Sequence, residues 1–189
     1  KVYWYLGEPE NICSCDYDYL ISYRSNWIVP ENLLKNANVA SINFHPGSPD
    51  YPGIGCTNFA LYEDADEYGV TCHHMEPKVD AGRIISVKSF PISSTDTVAT
   101  LTSKTYEIQL VQFFEVMEVI INGDQLPKSE KHWKRRAFTR KELDELRRIT
   151  PSMNKNEVAR RIRATSYRKW QPILEMYEFK FELKPEQNN

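Results

Sequence analysis

The sequence predicts an α/β fold with a mostly parallel sheet, followed by a small helical C-terminal appendage. Three features carry this expectation. An aromatic and β-branched run at Tyr17–Ser22, a helix start at Pro30-Glu31-Asn32-Leu33-Leu34 and an apolar run at Val39–Asn43 follow in strand–helix–strand order, which suggests a parallel crossover. A loop from His45 to Gly55 then holds three of the chain's 11 prolines and three of its 7 glycines, too many breakers for a regular element. Later, Asn122-Gly123 closes a long apolar-rich stretch, as a helix C-terminus requires.

The other elements follow the same rules. Val2–Leu6 reads as a strand that Gly7-Glu8-Pro9 breaks. Cys56–Asp64 is compatible with a helix, and Tyr68–Met75 and Arg83–Phe90 read as strands joined tightly through Glu76–Gly82. Ser94 or Thr95 is expected to cap the long helix, which runs to Ile121 and buries a face containing Ile108, Val111, Phe114 and Val119. Thr139-Arg140-Lys141-Glu142 and Asn154-Lys155-Asn156-Glu157 are capping-box patterns. Met176–Leu183 alternates in part and suggests a terminal strand. The expected division is a core over residues 1–126 and an appendage over 127–189 that ends in this strand.

Composition narrows the function classes. The chain has 189 residues, 41% hydrophobic and 26% charged, with a net charge of −2. It lacks the basic excess of proteins that grip nucleic-acid backbones, and no nucleic-acid partner is expected. No apolar run approaches the ~20 residues that cross a bilayer, so no membrane partner is expected either. The four cysteines, Cys13, Cys15, Cys56 and Cys72, lack the spacing of a redox pair or zinc finger. Reduced thiols, a cytoplasmic location and no metal are the expectation.

The chemistry gathers at the end of the second strand. Alternation puts Asn43 and His45 on one side, at the carboxyl edge where open α/β sheets bind ligands. A carboxamide donor beside an imidazole suits acyl transfer to an amine: one stabilises an oxyanion, the other takes a proton. Both could equally satisfy loop backbone groups. Asp80, in Val79-Asp80-Ala81-Gly82, could orient His45 if that connection folds over the first loop, or it could be an ordinary turn aspartate.

The ordered set Asn43-x-His45-Pro46, Gly69-Val70-Thr71-x-His73 and Val79-Asp80-x-Gly82-x-Ile84-Ile85 resembles the folate-dependent formyltransferase family. The stretch Tyr51-Pro52-Gly53-Ile54-Gly55-Cys56-x-Asn58-Phe59-Ala60-Leu61-Tyr62 looks especially like its sugar N-formyltransferase branch, as do Trp133–Leu143 and Ile162–Thr165. The likeness covers roughly residues 17 to 172. It implies a truncated Rossmann-like formyltransferase core, because the family usually has a fuller nucleotide-binding-like half before Asp16-Tyr17. It implies a catalytic trio of Asn43, His45 and Asp80, with N10-formyltetrahydrofolate as co-substrate. The pteridine would lie along Ser22, Trp27, Ile28, Val29 and Pro30 and against Val79, with His73 in support.

The implied acceptor is a nucleoside-diphosphate amino sugar, dTDP-linked. Lys134, Arg135 and Arg163 could neutralise the diphosphate, and Tyr51, Trp133 or Tyr167, with Trp170 as an outside candidate, could stack on the base, with Gly55 and Asn58 completing the wall. Each basic run could instead be a solvated helix face. A formyltetrahydrofolate hydrolase and a non-catalytic binding module for nucleotide sugar or folate are the rival expectations. The long helix or terminal strand could form a homodimer face.

Overall fold

A computed structural model describes residue 2, residues 16–168 and residues 170–184. The strand expected at Val2–Leu6 and the pair Cys13 and Cys15 lie outside the described residues, apart from Val2 itself. Strand β1 (Tyr17–Tyr23), helix α1 (Glu31–Lys35) and strand β2 (Ala37–His45) form the expected crossover, with β1 and β2 parallel. After the loop come helix α2 (Cys56–Tyr62), strand β3 (Glu67–His74) and strand β4 (Ile84–Pro91).

The sheet runs β1-β2-β3-β4. The α/β class is as expected; among the described residues of this sheet β1 and β2 pair in parallel, while β3 runs antiparallel to both β2 and β4. The short turn 75–83 allows this, since adjacent antiparallel strands need no crossover whereas parallel ones do.

Helix α3 (Val98–Asn122) covers one face. It starts later than expected. Thr97 is the cap, in a reciprocal capping box with Thr100, because Asp96 closes the preceding turn on the Ser93 amide and is pinned by Lys104. The buried stripe also differs. It is Val98, Leu101, Thr105, Gln109, Gln112 and Val116, while Val111 and Phe114 face outward and Ile108 and Val119 are half-buried. Apolar residues lie around much of this helix, so hydrophobicity alone does not choose its inner side. Hydrogen bonding helps: Gln109 donates to the Phe44 carbonyl at 2.8 Å and Gln112 to the Ser86 carbonyl at 3.1 Å. Ala40, Ile42, Phe44, Cys72 and Ile85 form the core beneath it, with Val116.

Beyond residue 126, helix α4 (Arg140–Leu146), strand β5 (Arg148–Ile149), helix α5 (Lys155–Thr165) and strands β6 (Ile173–Met176) and β7 (Phe179–Glu182) follow. The Thr139–Glu142 capping box forms as expected. Asn154 caps α5 through the Glu157 amide. The single terminal strand is instead a hairpin, because Tyr177 adopts a left-handed φ of 53° and turns the chain back. With β5 it makes a second sheet, order β5-β6-β7, so the appendage is not wholly helical. Among the described residues no helix is long and apolar enough to cross a membrane.

Removing the Gln109 amide strands a buried carbonyl. Gln109→Ala is expected to lower unfolding stability by about 1–3 kcal/mol in urea titration.

Candidate active site

Register places the key residues in one row. Ser22 lies opposite Asn43 across β1–β2, and Asn43 lies opposite His73 across β2–β3, so their side chains share a face. This is the face away from α3, because Ile42 and Phe44 alternate toward the helix. The β3–β4 turn brings Asp80 over the row. Asp80 holds a left-handed φ of 45°, a conformation that aspartate tolerates better than most residues. Gly82 is required just after it, since a Cβ there would stand 1.9 Å from the His74 carbonyl oxygen.

Asp80 joins the cluster together. Its Oδ2 lies 3.1 Å from His45 Nδ1 and its Oδ1 lies 3.2 Å from His73 Nε2. The Gly53 amide donates to Oδ2 at 2.7 Å, tying the breaker-rich loop to the same carboxylate. All three ionisable groups are enclosed: His45 is 3% exposed, His73 2% and Asp80 8%. Asn43 is only half-buried. The indole of Trp133 closes the cluster edge-on to both imidazoles, 5.6 Å from His45 and 5.0 Å from His73, and donates to the Gly82 carbonyl at 2.8 Å.

Proton positions follow from the partners. His45 Nε2 faces the Tyr51 carbonyl at 3.0 Å, and Nδ1 faces the Asp80 carboxylate. Both partners only accept, so both nitrogens carry protons and His45 is an imidazolium. Burial opposes that charge, but the Asp80 carboxylate, Cys56 and the Tyr51 carbonyl outweigh it and raise the pKa to about 9. Burial likewise opposes the Asp80 charge, and His45, His73 and the Gly53 amide hold its pKa below the usual carboxylate value. His73 donates Nδ1–H to the His74 carbonyl at 2.8 Å. Its Nε2 meets Asn43 Nδ2 at 3.1 Å as well as Asp80. Without a proton, Nε2 accepts from Asn43; with one, it donates to Asp80. It is the one nitrogen in the trio's surroundings with a choice.

The remaining expected residues divide. Trp27 and Val29 are half-buried and Ile28, Pro30 and Val79 exposed, at the carboxyl end of β1 and on the Asp80 turn. Tyr51 belongs to the core, packed on Tyr68 with its hydroxyl donating to Glu63, so its ring is not a platform for a base. Arg135 is bidentate to Glu63 at 2.7 and 3.0 Å, and Arg163 is bound to Asp64 and to the Ser93 and Asp96 carbonyls. Both charges are spent internally. Lys134 is exposed, beside a shallow pocket with Lys131 and Asp50. Gly55 and Asn58 instead line a cavity of about 360 Å³ with Tyr106, Arg140, Arg147 and Trp170. The Arg140 and Arg147 guanidiniums lie 4.8 and 4.6 Å from the Trp170 ring. Neither arginine stands out in the sequence as a binding residue. Their spacing of seven residues around α4, two turns apart on one face, was the available signal.

The formyl transferase family profile matches residues 11–117, more than half of the chain. The chain belongs to the formyl transferase family. The methionyl-tRNA formyltransferase of Levilactobacillus brevis is 29% identical over 111 residues, 58% of this chain and 35% of that protein. The chain thus spans about a third of the length of such curated relatives. Among solved structures, a 4-N formyltransferase from Francisella tularensis superposes with a TM-score of 0.76 at 20% identity, over 92% of this chain and 72% of that one. The N-formyltransferase from Helicobacter canadensis, in complex with folinic acid and dTDP-3-aminofucose, superposes with a TM-score of 0.65 at 22% identity, over 84% and 58%. At these identities the superpositions speak for a shared fold.

The His45 charge has a stability consequence. A pKa raised from 6.5 to about 9 stabilises the fold fully below pH 6.5, and this contribution fades until it is gone above pH 9. The melting-temperature gap between the wild type and His45→Gln should therefore narrow steadily from pH 6.5 to 9.5.

Proposed function

We propose that this protein transfers a formyl group from N10-formyltetrahydrofolate to the amine of a nucleoside-diphosphate-linked amino sugar. The observation that carries this reading is the Asn43–His73–Asp80–His45 cluster: a half-exposed carboxamide backed by a buried, charged proton network. Family membership supports the reaction type. The fold shared with an enzyme crystallised with folinic acid and a dTDP-sugar supports the acceptor class.

The residues present suit a folate. Segment 25–29, which follows β1 just past Ser22, makes no backbone–backbone hydrogen bonds among the described residues, with the Trp27 amide on Ser25 Oγ, and Ile28 and Val79 expose apolar surface. A flat heterocycle with donors and acceptors along its edge needs both. The folate supplies the activated formyl carbon; the chain supplies orientation, donors and a path for a proton.

Asn43 gives one N–H to unprotonated His73 Nε2, which fixes its amide plane. Its other N–H is then free to donate to the formyl oxygen as negative charge develops. The imidazolium of His45, held by Asp80, adds a fixed positive charge behind it. Because His45 already carries both protons, it is not the resting base that the pairing of a carboxamide with an imidazole in the sequence suggested. The proton acceptor in the network would be His73 Nε2, and the proton leaving the attacking amine would pass through the His73–Asp80 pair to N10 of the folate as the bond from N10 to the formyl carbon breaks. For the acceptor, the Arg140–Trp170–Arg147 wall offers what a nucleoside diphosphate needs, positive charge beside a ring, where Arg135 and Arg163 do not.

A coupled assay tests the reading: protein, N10-formyltetrahydrofolate and a panel of nucleotide-linked amino sugars, with tetrahydrofolate formation and product mass as readouts. One sugar should gain one formyl group. Formate release without an amine acceptor, or transfer to methionyl-tRNA alone, would overturn the acceptor assignment. Asn43→Ala should slow turnover by about 10²-fold or more. His73→Gln should slow it by a similar factor, about 10²-fold; wild-type turnover in His73→Gln would remove His73 from the proton path.

A further inference from the structure

Arg24 stands where glycine would be free of strain. Its φ is 53°, in the left-handed region that costs a long side chain energy but costs glycine none. Residues held there against their preference gather at ligand sites, and Asp80 in the cluster above is another, at 45°. The left-handed turn has a visible effect. Strand alternation would send residue 24 to the Ser22 and Asn43 face. Instead its side chain reaches α3, where the guanidinium carbon lies 3.6 Å from the centroid of the Tyr106 ring, a cation–π stack. Arg135 and Arg163 are spent on Glu63 and Asp64. Arg24 is exposed and makes no ion pair among the described residues.

Its position gives that charge a use. Ser22 pairs with Asn43 and Tyr23 with Phe44, so Arg24 is the next residue out along the carboxyl edge, level with His45. Tyr106, beneath the guanidinium, lines the cavity of about 360 Å³ together with Arg140, Arg147 and Trp170. Among the described residues no carboxylate lines that cavity. Two cation–ring arrangements therefore border it. One is Arg24 on Tyr106, from the carboxyl edge of the sheet; the other is Arg140 and Arg147 on Trp170, from the C-terminal portion.

A nucleoside diphosphate sugar is a chain with an order: base, nucleoside-linked phosphate, sugar-linked phosphate, sugar. With the sugar amine at Asn43 and the base toward Trp170, the sugar-linked phosphate falls on the carboxyl-edge side, beside Arg24. On the acceptor class proposed above, we propose that Arg24 is a specificity-determining residue that binds the sugar-linked phosphate and so selects diphosphate-linked acceptors. The Tyr106 ring holds the guanidinium plane, leaving its N–H fork to donate to two phosphate oxygens. Arg140 and Arg147 serve the nucleoside-linked phosphate and the base.

The test reads binding without turnover. Calorimetric titration is done with the diphosphates and monophosphates of thymidine, uridine, cytidine, guanosine and adenosine, since only the diphosphates carry the second phosphate. The wild type should bind at least one diphosphate more tightly than its monophosphate. Arg24→Gly suits the left-handed backbone and removes the charge. It should weaken that diphosphate by about 10-fold, as loss of a hydrogen bond to a charged group does, and leave the monophosphate as in the wild type. Arg24→Gln, which keeps most of the length without the charge, carries the same expectation should the glycine variant fail to fold. Equal diphosphate affinity in the wild type and a folded variant would overturn the role of Arg24 and leave the acceptor class standing. So would an equal loss on diphosphate and monophosphate, the mark of a general structural role. A wild type that binds none of these nucleotides would overturn the acceptor class and the role of Arg24 with it.

Discussion

One carboxylate organises the candidate site. Asp80 reaches His45 with one oxygen and His73 with the other and accepts from the Gly53 amide. It therefore ties together a strand end, the neighbouring strand, the breaker-rich loop and its own turn. A buried carboxylate is tolerable only when it is paired and hydrogen-bonded, and here the pairing is what keeps His45 charged. The loop after His45 also depends on the ring: a Cβ on Gly47 would stand 2.4 Å from His45 Nε2.

The C-terminal residues are part of this arrangement. Phe138 exchanges backbone hydrogen bonds with the loop, accepting from Ile54 and donating to Pro52, while Lys134 donates to the Pro49 carbonyl. Trp133 then reaches the cluster itself. Further along, Asn58 bonds the Ala164 carbonyl and Tyr62 bonds Glu157, so α5 buttresses α2. The loop that carries Gly53 and the cavity lined by Gly55 and Asn58 are thus built from both portions of the chain.

Much of this was legible in the sequence. Period-two alternation put Asn43 and His45 on one side, and Asn122-Gly123 and Thr139–Glu142 marked real helix ends because capping is local chemistry. Long-range choices were not legible. The inner side of α3 depends partly on which carbonyls Gln109 and Gln112 reach. The roles of Arg135 and Arg163 depend on acidic residues Glu63 and Asp64, about 70 and 99 positions earlier. Tyr51 looked like a free ring, yet its backbone carbonyl serves His45 while its ring fills the core. The resemblance named the catalytic trio; the protonation of His45 and the opening at His73 came only from geometry.

The site rests on where its protons sit, and nitrogen NMR of His45 reads this out. His45 should carry protons on both nitrogens at pH 7 and lose one only near pH 9. A His45 that is neutral at pH 7 would show that Asp80 does not hold it charged.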